Sequence, residues 1–227
     1  MDSRERFLDD PSFAVAPHTI LLHGLGRSRH DMFLLAPRLR RLLPETTVHL
    51  FEYHSRKLAL HEIVDQLGDF IGQTCPGEPV SFVGHSLGGI VVRALDLRGG
   101  APAPLHRLVT LGSPHGGAQI AALLNRFRPF RALFGPVLND LGALALDETP
   151  RELEIGCLVG SGYTRLGFLP FFGEDNDGLV TVREAHFPGA RDTARRFVVH
   201  GLFCFSAWAA RLSSQFLRTG AFEPRES

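Results

Sequence analysis

The sequence predicts an α/β domain: a mostly parallel sheet of about six strands, helices on both faces, and a short helical cap. Three observations lead there. Short apolar runs alternate with segments of helical period. The joins between them are short, as in crossover units of a parallel sheet. One join, Gly84-His85-Ser86-Leu87-Gly88-Gly89, sets a serine among glycines between an apolar run and a helical pattern.

Taken in order, Thr19-Ile20-Leu21-Leu22 reads as a buried strand. The turn His23-Gly24-Leu25-Gly26 and a helix from about Asp31 to Leu43 follow it. Thr47 to Phe51 is the second strand. Leu60, Ile63, Leu67, Phe70 and Ile71 then recur at helical spacing, in a helix that ends before Pro76. Val80-Ser81-Phe82-Val83 is the third strand and Ile90 to Leu95 lies in the helix after it. Leu105–Leu111, Leu153–Val159 and Arg195–Val199 complete the strands, and a last helix runs from about Leu202 to Leu217. Neither a repeat nor a linker divides the chain, so residues 1–227 are expected to form one domain.

Between Leu111 and Leu153 the composition changes. Ile120, Leu123, Leu124, Phe127, Phe130, Leu133, Phe134, Val137, Leu138, Leu141 and Leu144 make this segment apolar all round, and Pro129 and Pro136 divide it. It is too long for a plain crossover and emerges at the carboxyl edge of the sheet, where ligands bind. An insertion over about 116–150 is therefore expected to act as a cap with an apolar wall; packing against the core is the other reading. Arg126, Arg128 and Arg131 could meet an anionic group or form a solvated helix face.

Bulk properties exclude several classes. With 24 Lys+Arg against 24 Asp+Glu the net charge is zero, so nothing points to nucleic acid or an anionic membrane surface. No apolar run is long enough to span a bilayer, and Met1 to Arg6 leads into no apolar leader segment. Cys75, Cys157 and Cys204 show neither a metal-binding spacing nor a disulfide framework, which leads to the expectation of a reducing, cytoplasmic compartment. Gly24-Leu25-Gly26-Arg27-Ser28-Arg29 lacks the third glycine of a dinucleotide fingerprint, and no phosphate-binding loop with Gly-Lys-Ser/Thr occurs. No cofactor or metal is called for.

The serine turn reads as a nucleophile elbow, tight enough to need small neighbours and placed at the positive end of a helix. A serine needs a base, and the base needs an acid to orient it. In chain order after Ser86 come His106, His115, His186 and His200. His106 opens a strand, His115 precedes any plausible acid, and His186 would fall at the opposite sheet edge. His200, just after the last strand, is the expected base. The acid is expected in Glu174-Asp175-Asn176-Asp177-Gly178, with Asp177 preferred and Asp175 second; Asp147 and Glu148 are weaker. That cluster could instead bind calcium or form a solvated loop. The oxyanion donors are expected to be the backbone N–H groups of Leu87 and Leu25.

Four motifs carry a family resemblance: Leu22-His23-Gly24-Leu25-Gly26, the Ser86 turn, Thr110-Leu111-Gly112-Ser113-Pro114-His115-Gly116-Gly117, and Asn176-Asp177-Gly178-Leu179-Val180. In order and content the chain resembles the α/β-hydrolase superfamily, and within it the small bacterial lipases and lipase-like serine esterases. The resemblance implies hydrolysis of a small hydrophobic ester through an acyl-enzyme on Ser86, with Asp177 and His200. A thioesterase or acyltransferase with the same triad, or a non-catalytic binding protein on this scaffold, are the alternatives. The family's strand before Thr19 has no counterpart, so a reduced sheet is expected.

Overall fold

A computed structural model describes residues 15–143, 150–162 and 174–223. Six strands, β1 (His18–Leu22), β2 (Thr47–Phe51), β3 (Val80–His85), β4 (Leu105–Leu111), β5 (Glu154–Ser161) and β6 (Asp192–Phe197), form one sheet. Their order is β2-β1-β3-β4-β5-β6, and every pairing is parallel. The expected sheet of about six strands is the one found.

Alternation along the strands sorts the core into two layers. Ile20, Leu22, Phe82, Leu108, Ile155, Cys157 and Val159 face one side. There they pack on α2 (Leu60–Thr74) and α3 (Leu87–Arg98). Leu21, Val83, Val109, Leu111 and Leu158 face the other, against α1 (Leu35–Leu42) and α8 (Ala207–Thr219). The three helices α4 (Gln119–Asn125), α5 (Arg128–Phe134) and α6 (Val137–Ala143) join β4 towards β5, and a single turn, α7 (Val182–Ala185), precedes β6.

Two helix starts differ from expectation, each for a local reason. A continuous helix from Asp31 to Leu43 would place Pro37 in its interior, where the ring clashes with a carbonyl and removes a hydrogen bond. Instead Ser28 caps a 3₁₀ turn over Arg29–Met32, and α1 restarts at Leu35 with Pro37 in its first turn. At the other end, residues His200–Phe205 form a 3₁₀ turn, and Ser206 accepts the Ala209 N–H to begin α8.

The chain order reverses at β1, which has β2 on one side and β3 on the other. In an open parallel sheet, the crevice outside the carboxyl ends of such neighbours is where ligands bind. The segments leaving β1 and β3 there are Gly24–Leu25 and Ser86.

Candidate active site

Ser86 follows β3 directly and sits at φ 53°, ψ −117°, the single non-glycine positive φ among the described residues. Holding a serine there costs of order 1–3 kcal/mol, supplied by its surroundings. The glycines around it leave no choice of side chain. A Cβ on Gly84 would come within 2.6 Å of the Gly88 carbonyl carbon, and one on Gly88 within 2.6 Å of the Leu22 oxygen. The Ser86 N–H donates to the Leu111 oxygen at 3.0 Å, while its side chain makes no capping bond to α3. Leu87 is the first residue of α3, so its N–H is among those the helix itself cannot satisfy.

Asp177 and His200 arrive from different strands. Asp177 lies beyond β5 and His200 beyond β6, and both are buried. Asp177 Oδ1 accepts the N–H groups of Leu179 (3.0 Å) and Val180 (2.8 Å). Its Oδ2 accepts His200 Nδ1–H at 2.7 Å, and its backbone oxygen accepts the His200 N–H at 2.9 Å. With Nδ1 carrying the proton, His200 Nε2 is left as an acceptor. Asp175 points elsewhere: one oxygen accepts the Gly162 N–H and the other pairs with Arg195. Asp147 and Glu148 lie outside the described residues.

Space for the Asp177–His200 pair comes from two glycines at the ends of neighbouring strands. Gly112, at φ +61°, would carry a Cβ 3.0 Å from Asp177 Oδ2 and 3.2 Å from His200 Nδ1. A Cβ on Gly160 would lie 2.5 Å from Asp177 Cβ.

Ser86, His200 and Leu25 line one cavity of about 170 Å³. Arg27 and His85 are its other polar residues, and most of the rest of the wall is apolar: Ala121 and Leu124 of α4, Phe134 of α5, Leu138 and Leu141 of α6, and Leu179 and Val180 beside Asp177. The segment between β4 and β5 meets both the cavity and the core. It walls the cavity, while Val137, Leu138 and Leu141 also join the buried core. Phe127 and Leu133 in this segment are about half exposed, and Arg126 and Arg128 are exposed.

Two histidines that sequence order did not single out brace this cavity. His85 Nε2–H donates to the His200 carbonyl at 2.9 Å, and the rings lie 5.0 Å apart. Burial, and then His200, lower its pKa well below the ordinary imidazole value, so it is neutral. His23 donates Nδ1–H to the Gly24 oxygen at 2.9 Å and stacks on Tyr53 at 4.1 Å. Burial lowers its pKa as well, so an uncharged ring holds the turn that carries Leu25. Both neighbours of the motif residues were visible in the sequence; their contacts were not.

The remaining histidines have other surroundings. His115 is buried between Thr110 Oγ1 (3.2 Å) and Arg93 Nη1 (3.3 Å), and burial pushes its pKa down to about 3. His106 lies near Ser81, and burial lowers it to about 4. His186 lines a separate groove with Thr193 and Arg195.

A doubly wound parallel sheet with a strained serine between β3 and α3 defines an α/β-hydrolase. Within that class the chain belongs to the palmitoyl protein thioesterase family, whose model matches residues 18–137. The matched stretch contains Leu25, Ser86 and Leu87 but stops short of Asp177 and His200. Among solved structures, a lipase from Bacillus licheniformis in its mature form is similar at 23% identity. That match covers 85% of this chain and 88% of that one, with a TM-score of 0.65. A monoacylglycerol lipase from Paleococcus ferrophilus matches at 16% identity over 88% and 93%, TM-score 0.61. A hydrolase from Pseudomonas aeruginosa matches at 18% identity over 88% and 90%, TM-score 0.61. At these identities the likeness is one of fold. No curated protein matches the chain. No helix among the described residues is long and apolar enough to cross a membrane.

Proposed function

We propose that this protein is a serine hydrolase that cleaves small hydrophobic carboxylic esters by acyl transfer through Ser86. The observation that carries the reading is the joint opening of Ser86 and the Asp177-held His200 onto one largely apolar cavity. His200 Nε2 takes the Ser86 proton as Oγ attacks the ester carbonyl, giving a tetrahedral oxyanion. The Leu25 and Leu87 N–H groups are assigned to that oxyanion. Collapse expels the alcohol, which receives the proton from His200, and leaves an acyl-enzyme. Water then attacks the acyl carbon, gives its proton to His200, and releases the acid as Ser86 recovers its proton. Asp177 holds the imidazole in the required tautomer and stabilises its charged form. The mechanism asks for no metal or cofactor.

Thioesters are the second reading, favoured by the family to which the chain belongs. The same residues would expel a thiol instead of an alcohol. The cavity size bears on the acyl group: about 170 Å³ is less than the roughly 300 Å³ or more of sites that enclose a drug-sized ligand. It favours an acyl chain that is short or only partly enclosed. The three free, buried cysteines suit a reducing compartment, and a cytoplasmic location is part of this proposal.

The test is a matched series of p-nitrophenyl esters and acyl thioesters from two to sixteen carbons, with wild type beside Ser86→Ala. Ester turnover that peaks at short chains and vanishes in Ser86→Ala is the expected result. A preference for long-chain thioesters would give the second reading. Turnover unchanged in Ser86→Ala would refute both.

A further inference from the structure

At the opposite edge of the sheet, three residues far apart in sequence bring their ligand atoms together. His18 begins β1, His49 lies on β2, and Cys75 caps the end of α2. One ligand atom from each lies within 4.8 Å of the other two. Alternation explains the meeting: His49 pairs in register with Ile20, so His18 and His49 point to the same face, the one that α2 and Cys75 cover.

The geometry points to a zinc-type cation site here, with one imidazole nitrogen each from His18 and His49, the Cys75 sulfur, and a fourth position for water. His18 Nδ1 and His49 Nε2 are 3.0 Å apart. In a tetrahedral zinc site with bonds of about 2.0–2.1 Å to nitrogen, that separation is about 3.3 Å, so a small parting of the rings admits the ion. Imidazole and thiolate together suit zinc and its neighbours better than magnesium or calcium.

A second observation concerns the carboxylate behind the ring. His18 Nε2–H donates to Glu78 Oε2 at 2.6 Å. Metal-bound histidines characteristically give their far N–H to a carboxylate, which fixes the tautomer and raises the basicity of the ligating nitrogen. Glu78 is brought there by Cys75-Pro76-Gly77-Glu78, a turn closed by the Glu78 N–H on the Cys75 oxygen at 3.3 Å, with Gly77 at φ +74°. That turn places the carboxylate at Nε2 of the His18 ring and the thiol near the nitrogens that His18 and His49 turn towards each other. On binding, the thiol proton leaves for solvent as the sulfur–zinc bond forms, and the proton that His49 Nε2 shares with His18 Nδ1 moves to His49 Nδ1, which frees the Nε2 lone pair for the ion.

The position implies a structural role. His18 opens β1 and Leu25 lies past its other end, roughly 15 Å or more away at the rise of a strand, so the ion would tie β1, β2 and the α2–β3 join together without meeting Ser86. The test uses the full chain, stripped with a chelator and titrated with Co²⁺ or Zn²⁺ alone. The expected result is one Co²⁺ per chain with a thiolate-to-cobalt charge-transfer band, absent in both Cys75→Ser and His49→Ala. Glu78→Gln should weaken binding by about 10–100-fold, the usual effect of losing such a partner. Zn²⁺ should raise the Tm of wild type and not of His49→Ala, whose ester turnover, if wild type shows any, reports that it is folded. Absence of the band, or a band that survives in Cys75→Ser and His49→Ala, would overturn the assignment.

Discussion

Asp177→Asn isolates one proton position. The side chain keeps its shape, and its oxygen can still accept the N–H groups of Leu179 and Val180, two of the three bonds the carboxylate holds. The NH₂ then faces His200 Nδ1, which has to become an acceptor, and the ring proton moves to Nε2. A histidine so protonated cannot take the Ser86 proton. Loss of the orienting carboxylate in a comparable triad costs about 10⁴-fold, or about 5 kcal/mol of transition-state stabilisation. Folding should change little, by about 1 kcal/mol for one altered hydrogen bond. Asp175→Asn is the control. It weakens a partly exposed pair with Arg195, worth about 0–1 kcal/mol, and turnover should stay within about twofold. The assay is kcat on a short p-nitrophenyl ester, with the Tm of each variant beside it. Equal losses at the two positions, or a tenth of wild-type turnover surviving in Asp177→Asn, would refute the assignment of the acid.

Three further outcomes are expected. Gly112→Ala forces a side chain into a left-handed conformation against Phe203, Asp177 and His200; it should lose about 1–3 kcal/mol of stability, read by urea midpoint, and most of its turnover. Ala121→Leu adds bulk to the cavity wall, which should move the ester optimum to shorter chains while acetate turnover stays within about threefold. His115 takes up no proton in the fold until about pH 3, whereas the unfolded chain does so near 6.5. Its folded pKa is depressed, so its share of stability is complete above about pH 6.5 and is lost as pH falls towards 3. His115→Gln should therefore reduce the acid slope of unfolding free energy by up to about 1.4 kcal/mol per pH unit.

Much of this arrangement was written locally. The strands stand out because both faces of a parallel sheet are covered, which makes Ile20-Leu21-Leu22 or Val80 to Val83 continuously apolar. Ser86 stands out because only glycine fits at Gly84 and Gly88. Turn residues favour Asp177 over Asp175, and in the fold two backbone N–H groups hold the Asp177 carboxylate while Arg195 pairs with that of Asp175. What stayed hidden depends on packing across the sheet. Nothing near Gly160 in sequence announces that Asp177 will press against it, and nothing near His85 announces the His200 carbonyl. His18, His49 and Cys75 likewise share no spacing that a motif could record; strand register and the end of α2 unite them.

His200 hangs from β6, which pairs with β5 alone and whose far side is exposed along most of its length. Segments with few buried contacts open at lower free energy than the core and do so on their own. Ser86, by contrast, rises from β3 in the middle of the sheet, where every strand residue is buried. Ser86 and His200 thus belong to regions of unequal permanence. Gentle heating or dilute denaturant is expected to displace His200 while the frame around Ser86 stays intact, so that the proposed turnover is lost well before global unfolding and returns on cooling.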